Sequence, residues 1–443
     1  MRVFFLLPLL CCFTVLLHAQ NSNLYFPPNT GNTWQTINPA NLGFCPERVD
    51  SLYRFLEQNN TKSFILLQDG KIVLEKYFGT YTQDSFWYWA SAGKSLTAFL
   101  IGQAQDEGLL QISDKTSQYL GQGWTSCTPE KEDLITIRHQ LSMSNGLDDN
   151  LPPTPAIPDP DNCLDPECLV YKADAGTRWA YHNTPYHLLH EVIEAASGQS
   201  INAFTKTRVL DKVGMRGLWI DHIQYGRARD MARFGLLTLA KGIWNGDTLL
   251  RNQTYFYNMT HRSQELNKSY GYLWWLNGQP SYMLPGVQFV VPGKICPNAP
   301  DDMYAALGKN DQKIHIVPSK GWVLVRQGNP SSVPGGQVPV VFDNLLWARL
   351  NALVCSPTAT LSPEQEATLD VFPNPAAASW KLRSQSRIGQ VRLTDTYGKI
   401  VYNIDAGQAT QINIPAAQCP AGMYFLQVEL EGKWVFKTVL AAP

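Results

Sequence analysis

Hydrophobic and polar positions recur with two different periods in the first part of the chain, one typical of helices and one typical of strands. Across residues 46–57 the apolar side chains recur at helical spacing, which predicts an amphipathic helix. An apolar run at 64–67, a turn at 69–71 and a second apolar run at 72–74 then predict a β-hairpin.

Helical spacing dominates the middle of the chain, and strand patterns return later. Further helices are predicted at residues 93–107, 136–144, 185–196, 228–240 and 342–354. Further strands are predicted at residues 271–275, 313–317 and 322–326. Because strands at both ends enclose the helices, we expect one sheet built from distant segments, with a helical insertion covering one side.

The pattern of predicted elements changes after a polar, Pro-bearing linker at residues 356–367. Short β-rich runs follow at residues 391–393, 400–402, 411–414, 424–428 and 435–439, separated by Gly or Pro turns. This pattern predicts a small all-β sandwich over residues 368–443.

The beginning of the chain carries the layout of a secretory signal peptide over residues 1–19. A positive end at Arg2 precedes an apolar run, and His18-Ala19 offers a small residue for cleavage. Residues 20–39, rich in Asn, Pro and Thr, form an expected extended arm before the mixed α/β body at 40–355. Since no later apolar run is long enough to cross a bilayer, we expect no membrane span in the mature chain.

Composition narrows the function class. The 443 residues carry a formal net charge of −1, with Lys+Arg 36 against Asp+Glu 37. That balance argues against a nucleic-acid partner, which needs an excess of cations. Disulfides persist in exported proteins, so some of the cysteines beyond Cys11 and Cys12 should pair, and Cys163 with Cys168 could close a small ring.

Ser91-Ala92-Gly93-Lys94 is the first candidate for chemistry, because it stands where a strand-like run ends and a helix begins. The spacing puts the serine and the lysine on one face of the first helical turn, beside free backbone N–H groups that suit an oxyanion. A lysine buried there would lose its charge and could act as a general base. The alternative is an ordinary N-cap serine followed by a surface lysine.

Tyr181-His182-Asn183 is the second candidate, at the start of the next predicted helix. A tyrosine near an ammonium group can be partly ionised and can pass a proton to a leaving group. Asn183 can donate a hydrogen bond to a substrate carbonyl. The alternative places the tyrosine in the core and uses the asparagine as a helix cap.

Together these motifs make the chain resemble the penicillin-recognising serine hydrolases, in the branch of class C β-lactamases, esterases and 6-aminohexanoate-oligomer hydrolases. Residues 137–147, 228–235 and 270–275 support the resemblance, which spans residues 46–355. It implies an antiparallel sheet flanked by helices plus a helical subdomain. It also implies Ser91 as nucleophile, Lys94 as base, Tyr181 as proton relay and Asn183 as a substrate contact, with no metal or organic cofactor.

The third motif of the family departs from the β-lactamase pattern. No K-T-G occurs, and Gly308-Lys309-Asn310-Asp311-Gln312 stands in its place, resembling a G-x-x-G-Q version with Asp311 where Gly is usual. The resemblance implies substrate-side roles for Gly308, Lys309 and Gln312, with the Lys309 N–H completing an oxyanion hole with Ser91. Without the K-T-G cation and hydroxyl, efficient β-lactamase activity is not expected.

The C-terminal segment has a resemblance of its own. Val371 to Pro375, Asp395 to Lys399, Pro420 to Phe425 and Lys437 to Leu440 are similar to the sorting domain of type IX secretion. This implies the type IX machinery as a partner and a secreted or surface-attached protein of a Gram-negative bacterium. The alternative is a generic Ig-like adhesion module.

The sequence thus predicts a secreted serine hydrolase that cleaves an ester or amide bond in a small or short oligomeric substrate. A D-amino-acid peptidase or a β-lactamase of the same fold is the alternative within the class. A non-catalytic surface or binding protein on an inactivated hydrolase fold is the alternative outside it. His182, His187 and His190 lack a supporting carboxylate pattern, so no metal site is expected.

Overall fold

The computed structural model of the chain describes residues 24–333, 340–355, 369–395 and 399–442. The chain divides into two compact units, Met1–Cys355 and Ser356–Pro443. The expected signal peptide at 1–19 and the linker at 356–367 lie outside the described residues.

The first unit mixes helices and strands. Its α-helices are α1 (Pro46–Gln58), α2 (Gly93–Asp106), α3 (Ser117–Leu120), α4 (Pro129–Glu132), α5 (Ile137–Leu141), α6 (Asn183–Ser197), α7 (Ile201–Thr205), α8 (Asp211–Val213), α9 (Ala228–Leu239), α10 (Gln253–Thr260) and α11 (Val340–Asn351). Its strands are β1 (Thr61–Gln68), β2 (Lys71–Tyr77), β3 (Trp87–Tyr88), β4 (Gly217–Ile220), β5 (Ile223–Gly226), β6 (Ile243–Trp244), β7 (Asp247–Thr248), β8 (Trp275–Leu276), β9 (Ser281–Tyr282), β10 (Val291–Pro292), β11 (Tyr304–Gly308), β12 (Gln312–Val317) and β13 (Trp322–Gly328).

Distant segments of the chain build the central sheet, as predicted. Six antiparallel strands lie in the order β2-β1-β13-β12-β11-β8. The predicted hairpin is β1–β2, and β1 also pairs with β13, which comes from the far end of the unit. The apolar runs of β1, β12 and β13 are buried almost throughout, which is the pattern of strands covered on both faces.

Helices cover the two faces of this sheet. On one face α9 lies so close that a Cβ added to Gly235 would come within 2.4 Å of Val323 Cγ1. Neighbouring side chains of a strand point to opposite faces, so His315 and Arg326 point to the face of the sheet opposite α9. There α11 covers them, with the Trp347 ring stacked on His315. The sheet is therefore a rigid platform for the residues at its edge.

Two predicted elements are wrong in extent. The strand expected at 271–275 is a chain reversal: Leu273 has φ +58°, and the Gly271 N–H donates to the Trp274 carbonyl at 2.9 Å. The helix expected at 136–144 ends at Leu141, because Met143 takes a left-handed φ of +56°. A single left-handed residue breaks either regular structure, and apolar spacing does not reveal it.

Covalent and backbone contacts tie the ends of the first unit together. The disulfide Cys45–Cys355 joins its beginning to its end, and Cys163–Cys168 closes the predicted small ring. In the arm, the Trp34 Nε1–H donates to the Gly70 carbonyl at 2.7 Å. Among the described residues, the free cysteines are Cys127, Cys296 and Cys419.

The second unit is all-β and curls around its own apolar core, consistent with the predicted small sandwich. Its strands are β14 (Leu369–Phe372), β15 (Ser379–Thr394), β16 (Ile400–Pro415), β17 (Gly422–Leu430) and β18 (Lys433–Ala441). The two short strands expected at 400–402 and 411–414 are one strand, β16. Between them Gly407 and Gln408 have positive φ, which makes an irregularity in a continuous strand instead of a turn.

No helix in the described part of the chain is long and apolar enough to span a bilayer.

Candidate active site

A tight turn presents Ser91 at the junction that the sequence predicted. The residue lies in a 3₁₀ turn, Ala90–Ala92, between β3 and α2. Ala90 has φ +48°, an unfavourable conformation for a residue with a Cβ, and the flanking Trp89 is held by its N–H bond to the Gln224 carbonyl at 2.8 Å. Local strain of this kind is typical of a backbone that must aim one functional group.

Lys94 follows on the first turn of α2, and its ammonium is buried against Ser91. Lys94 Nζ lies 2.8 Å from Ser91 Oγ, and the lysine is 2% exposed. Burial lowers the pKa of Lys94 to about 7, although the negative charge of Asp161 partly opposes that shift. A substantial fraction of Lys94 is therefore neutral near neutral pH and able to accept a proton.

Asn183 is the second polar contact of Lys94. As the first residue of α6, it accepts a hydrogen bond from Lys94 Nζ to its Oδ1 at 2.7 Å. Its Nδ2 donates to Asp161 Oδ2 at 2.5 Å. One N–H of the amide is thus already committed to a carboxylate, whereas the sequence suggested that it serves a substrate carbonyl.

Tyr181 faces the same amine with its ring. The Lys94 ammonium lies 5.0 Å from the centroid of the Tyr181 ring and 4.0 Å from that of Tyr186. Burial raises the pKa of Tyr181 well above its usual range, with a smaller opposing effect from a hydrogen bond to Ser91. Because burial disfavours the phenolate, this environment favours the protonated form of Tyr181 over the partly ionised form that the sequence suggested.

The end of β11 approaches the turn that carries Ser91, at Gly308. A Cβ on Gly308 would lie 2.5 Å from the Trp89 carbonyl oxygen and 3.0 Å from the Ala92 nitrogen. Only a glycine lets two backbones come this close. Lys309 begins the 3₁₀ turn that follows, so its backbone stands beside the Ser91 turn while its side chain is exposed.

The side chains of Asp311 and Gln312 stabilise this turn. Asp311 has φ +63°, the left-handed conformation for which glycine is usual, and its Oδ1 pairs with Lys313 Nζ at 3.0 Å. Burial alone would raise the pKa of Asp311, but the charges of Lys313 and Arg326 outweigh it and keep the pKa below the usual value. The carboxylate therefore stays ionised and anchors the turn.

Gln312 supports the same turn with its amide. Its Nε2 donates to the carbonyls of Asn310 at 2.9 Å and Gly328 at 2.6 Å, and its Oε1 accepts from the Gly328 N–H at 3.0 Å. The side chain is fully buried. The structure thus turns the Gln312 amide toward backbone groups, away from the cavity above.

We expect the substitution Gly308→Ala to lower kcat/KM and to destabilise the fold by ~1–3 kcal/mol, because the new methyl group overlaps the Trp89 carbonyl. Steady-state kinetics and urea unfolding measure the two effects. Lys309→Ala is the matched control: it leaves the backbone N–H in place, so its loss of kcat/KM should be the smaller one. A larger loss in Lys309→Ala would show that the side chain matters more than the backbone.

A cavity of about 650 Å³ opens above Ser91. It is lined by Ala90, Ser91, Lys94, Asp149, Asp159, Asp161, Asn162, Tyr181, Asn183, Tyr186, His187, Ile223, Pro285, Gly286, Leu307, Gly308 and Lys309. Of the catalytic and substrate-side residues predicted from the sequence, all but Gln312 line it. Trp89 and Trp274, close to these motifs, are fully buried in the core.

Sequence reasoning missed Asp161. It also did not assign Tyr186 and His187 to the site, although both lie beside Lys94. Asp161 lies in a Pro- and Asp-rich loop, and no periodic pattern in the sequence indicates that this loop contacts α6.

Burial favours the neutral form of His182, His187 and His190. His187 stacks on His222 with centroids 4.9 Å apart, and burial lowers the pKa of His190 to about 3 and that of His182 to about 4. In the part of the chain that the structure describes, no group of three or more His, Cys, Asp or Glu side chains is arranged to hold a metal ion.

A six-stranded antiparallel sheet with a Ser–Lys pair beside the end of strand β11 is the architecture of β-lactamase-like serine hydrolases, and the comparisons agree. Residues 57–326 match the beta-lactamase family, and residues 370–441 match the secretion system C-terminal sorting domain. The chain belongs to the beta-lactamase family and carries this sorting domain at its C-terminal end.

Individual relatives are distant. An uncharacterized protein of Alkalihalophilus pseudofirmus is 21% identical over 315 residues, which cover 62% of this chain and 85% of that protein. A Bacillus anthracis structure provisionally named a 6-aminohexanoate-dimer hydrolase is 19% identical with a TM-score of 0.55, covering 74% of this chain and 91% of that one. A penicillin-binding protein homolog from Caulobacter crescentus is 13% identical with a TM-score of 0.52, covering 70% and 98%. At these identities the solved structures show a shared fold.

Proposed function

We propose that this protein is a secreted serine hydrolase that cleaves an ester or amide bond through a covalent acyl-enzyme on Ser91. The observation that carries the proposal is the 2.8 Å contact between Ser91 Oγ and the buried Lys94 Nζ. A serine hydroxyl is a weak nucleophile until a neighbouring base takes its proton. A buried amine with a pKa of about 7 is a base matched to neutral pH.

In the acylation step, Ser91 Oγ attacks the substrate carbonyl carbon and its proton passes to neutral Lys94. The backbone N–H groups of Ser91 and Lys309 receive the negative charge that develops on the carbonyl oxygen. Tyr181 then gives its proton to the leaving oxygen or nitrogen as the C–O or C–N bond breaks. Lys94 returns the missing proton to the tyrosine, which leaves an ester on Ser91.

In the deacylation step, a water molecule attacks the ester carbonyl and gives a proton to the neutral base. The bond to Ser91 Oγ breaks, the serine regains its proton, and the acid leaves. The chemistry balances with water as the only co-reactant, and it uses residues of this chain alone.

The C-terminal sorting domain supports export as the setting of this activity. The type IX machinery is the partner that such a domain implies, and a secreted or surface-attached enzyme is the outcome. Within the hydrolase class, a D-amino-acid peptidase is the second candidate. β-Lactamase activity is disfavoured because Gly308-Lys309-Asn310-Asp311 replaces K-T-G, so the threonine hydroxyl of that motif is missing and a buried, ion-paired Asp311 stands in the loop.

The decisive experiment treats the purified protein with an active-site-directed fluorophosphonate and maps the adduct by mass spectrometry. We expect the label on Ser91. Turnover is then compared on p-nitrophenyl esters, short amide oligomers, D-Ala peptides and nitrocefin. An unlabelled wild type that is inactive across this panel would favour the non-catalytic surface protein.

The reaction should lose speed in acid, because only neutral Lys94 can take the serine proton. We expect kcat/KM to be level above a pH of about 7 and to fall about tenfold for each further unit below it. Initial rates on one soluble ester, corrected for spontaneous hydrolysis, measure this profile. A profile that is flat through neutral pH down to about pH 5 would contradict Lys94 as the base.

A further inference from the structure

Asp161 makes a set of contacts that no motif in the sequence announces. Its carboxylate binds the first residue of α6 twice, with Oδ1 accepting the Asn183 backbone N–H at 3.1 Å and Oδ2 accepting Asn183 Nδ2 at 2.5 Å. Thr184 Oγ1 donates to the Asp161 carbonyl at 2.9 Å. The loop residue is thus fastened to the end of the helix that carries Asn183.

These bonds decide which way the Asn183 amide points. An ionised carboxylate only accepts hydrogen bonds, so it must face the NH₂ end of the amide. The oxygen end then faces Lys94 Nζ, from which it accepts at 2.7 Å. With the amide reversed, its oxygen would face the carboxylate and that bond would be lost. Its NH₂ group would face Lys94, where it could bond only by taking the lone pair that must receive the Ser91 proton.

The orientation matters for the base. Neutral Lys94 has two N–H groups and one lone pair, and the hydrogen bond to Asn183 Oδ1 takes one of the N–H groups. The Ser91 hydroxyl lies 2.8 Å from the same nitrogen, where the lone pair can receive its proton. The bond to Asn183 thus occupies an N–H and keeps the lone pair of the amine available in the direction of Ser91.

Asp161 also supplies the negative charge that acts on Lys94; burial raises the pKa of its carboxyl, and the hydrogen bonds from Asn183 oppose that shift. Of the other titratable groups facing Lys94 in the described chain, Tyr181 and Tyr186 stay protonated because burial raises the pKa of each, and burial lowers the pKa of His187. All three are neutral near neutral pH. The charge of Asp161 opposes the effect of burial on Lys94.

The segment around Asp161 is braced. Asn162 Nδ2 donates to Asp159 Oδ2 at 2.8 Å, and the Cys163–Cys168 disulfide begins two residues after Asp161. These links restrict the loop to few conformations, which suits a carboxylate that must stay in place.

We propose that Asp161 is a positioning residue of the active site, which holds the Asn183 amide with its oxygen toward Lys94 and thereby keeps the amine aligned with Ser91. This inference rests on the proposed function and deepens it. Asp161 acts through Asn183 and takes no part in bond making itself.

The test compares Asp161→Asn and Asp161→Ala with the wild type, using Asp165→Asn as the matched control. Asp165 lies in the same loop, inside the disulfide ring, and does not line the cavity. We expect Asp161→Ala to lower kcat/KM by about 10- to 100-fold with a small change in KM, as expected for a lost charge-assisted hydrogen bond. Asp161→Asn keeps an acceptor oxygen, so it stays folded if the alanine variant does not.

The pH profile separates positioning from a structural role. Both variants remove a negative charge beside Lys94, so the acidic limb of kcat/KM should move to lower pH, whereas loss of folded protein would lower the rate without moving the limb. Unchanged kcat/KM and an unmoved limb in a folded variant would overturn the inference. A wild type that the fluorophosphonate leaves unlabelled would overturn the proposed function itself, and the inference with it.

Discussion

Replacing the nucleophile, Ser91→Ala, should abolish fluorophosphonate labelling and lower kcat on the best ester by about 10³- to 10⁶-fold. The oxygen that forms the covalent bond is gone, while the cavity, Lys94 and the turn remain in place. Intact-protein mass spectrometry after labelling and steady-state kinetics at neutral pH measure the two effects. Turnover at the wild-type rate in Ser91→Ala would refute the acyl-enzyme.

Ser95→Ala is the matched control, since it removes the same hydroxyl one helical turn further along α2. Ser95 Oγ donates to the Leu273 carbonyl at 2.7 Å and is buried away from the cavity. We expect this variant to lose about 1 kcal/mol of unfolding free energy and to keep its label. A loss of labelling in both variants would indicate damage to the helix.

Replacing the base, Lys94→Met, should lower kcat/KM by about 10²- to 10⁴-fold and make the protein more stable at the same time. The unfolded chain holds the lysine proton up to a pH near 10.5, whereas the folded protein releases it above about 7. Folding is therefore penalised increasingly as the pH falls from 10.5 to 7, and the penalty is constant below that. An uncharged side chain of similar length avoids this cost.

Chemical denaturation at pH 9 and at pH 7 tests the second half of this prediction. The stability gain of Lys94→Met over the wild type should be on the order of 2 kcal/mol larger at pH 7, since each pKa unit corresponds to about 1.4 kcal/mol. Lys206→Met is the control, because Lys206 is exposed and paired with Asp211 at 2.6 Å. A gain that does not vary with pH would mean that Lys94 keeps its charge when folded.

Several elements were readable in advance because their cause is local. The helix at residues 46–57 and the hairpin at 64–74 follow from spacing and a turn, and both are present as α1 and β1–β2. Ser91 was placed correctly at a strand-to-helix junction because a strand-like run precedes it and helical spacing follows it. Burial of Lys94 was suggested by the motif and is confirmed by the structure.

Other features depend on contacts between distant segments. The reversal at Leu273 and the end of α5 at Met143 rest on left-handed residues that apolar spacing does not mark. Asp311 looked like a break in a glycine motif, but Lys313 and the Ser331 N–H hold its carboxylate and keep the left-handed turn. The contact of Asp161 with Asn183 joins a loop to a helix, with the disulfide ring between them in the chain. No periodic pattern in the sequence predicts it.

By itself the sequence determined the residue types and their local placement: a serine and a lysine one turn apart, a later Tyr-x-Asn, and an altered glycine loop. These are properties of short segments, set by covalent order and helical or strand period. Only the tertiary structure decided the chemical state of the site. The pKa of Lys94, the direction of the Asn183 amide and the protonation of Tyr181 depend on burial and on charges brought from other segments, and folding alone creates that environment.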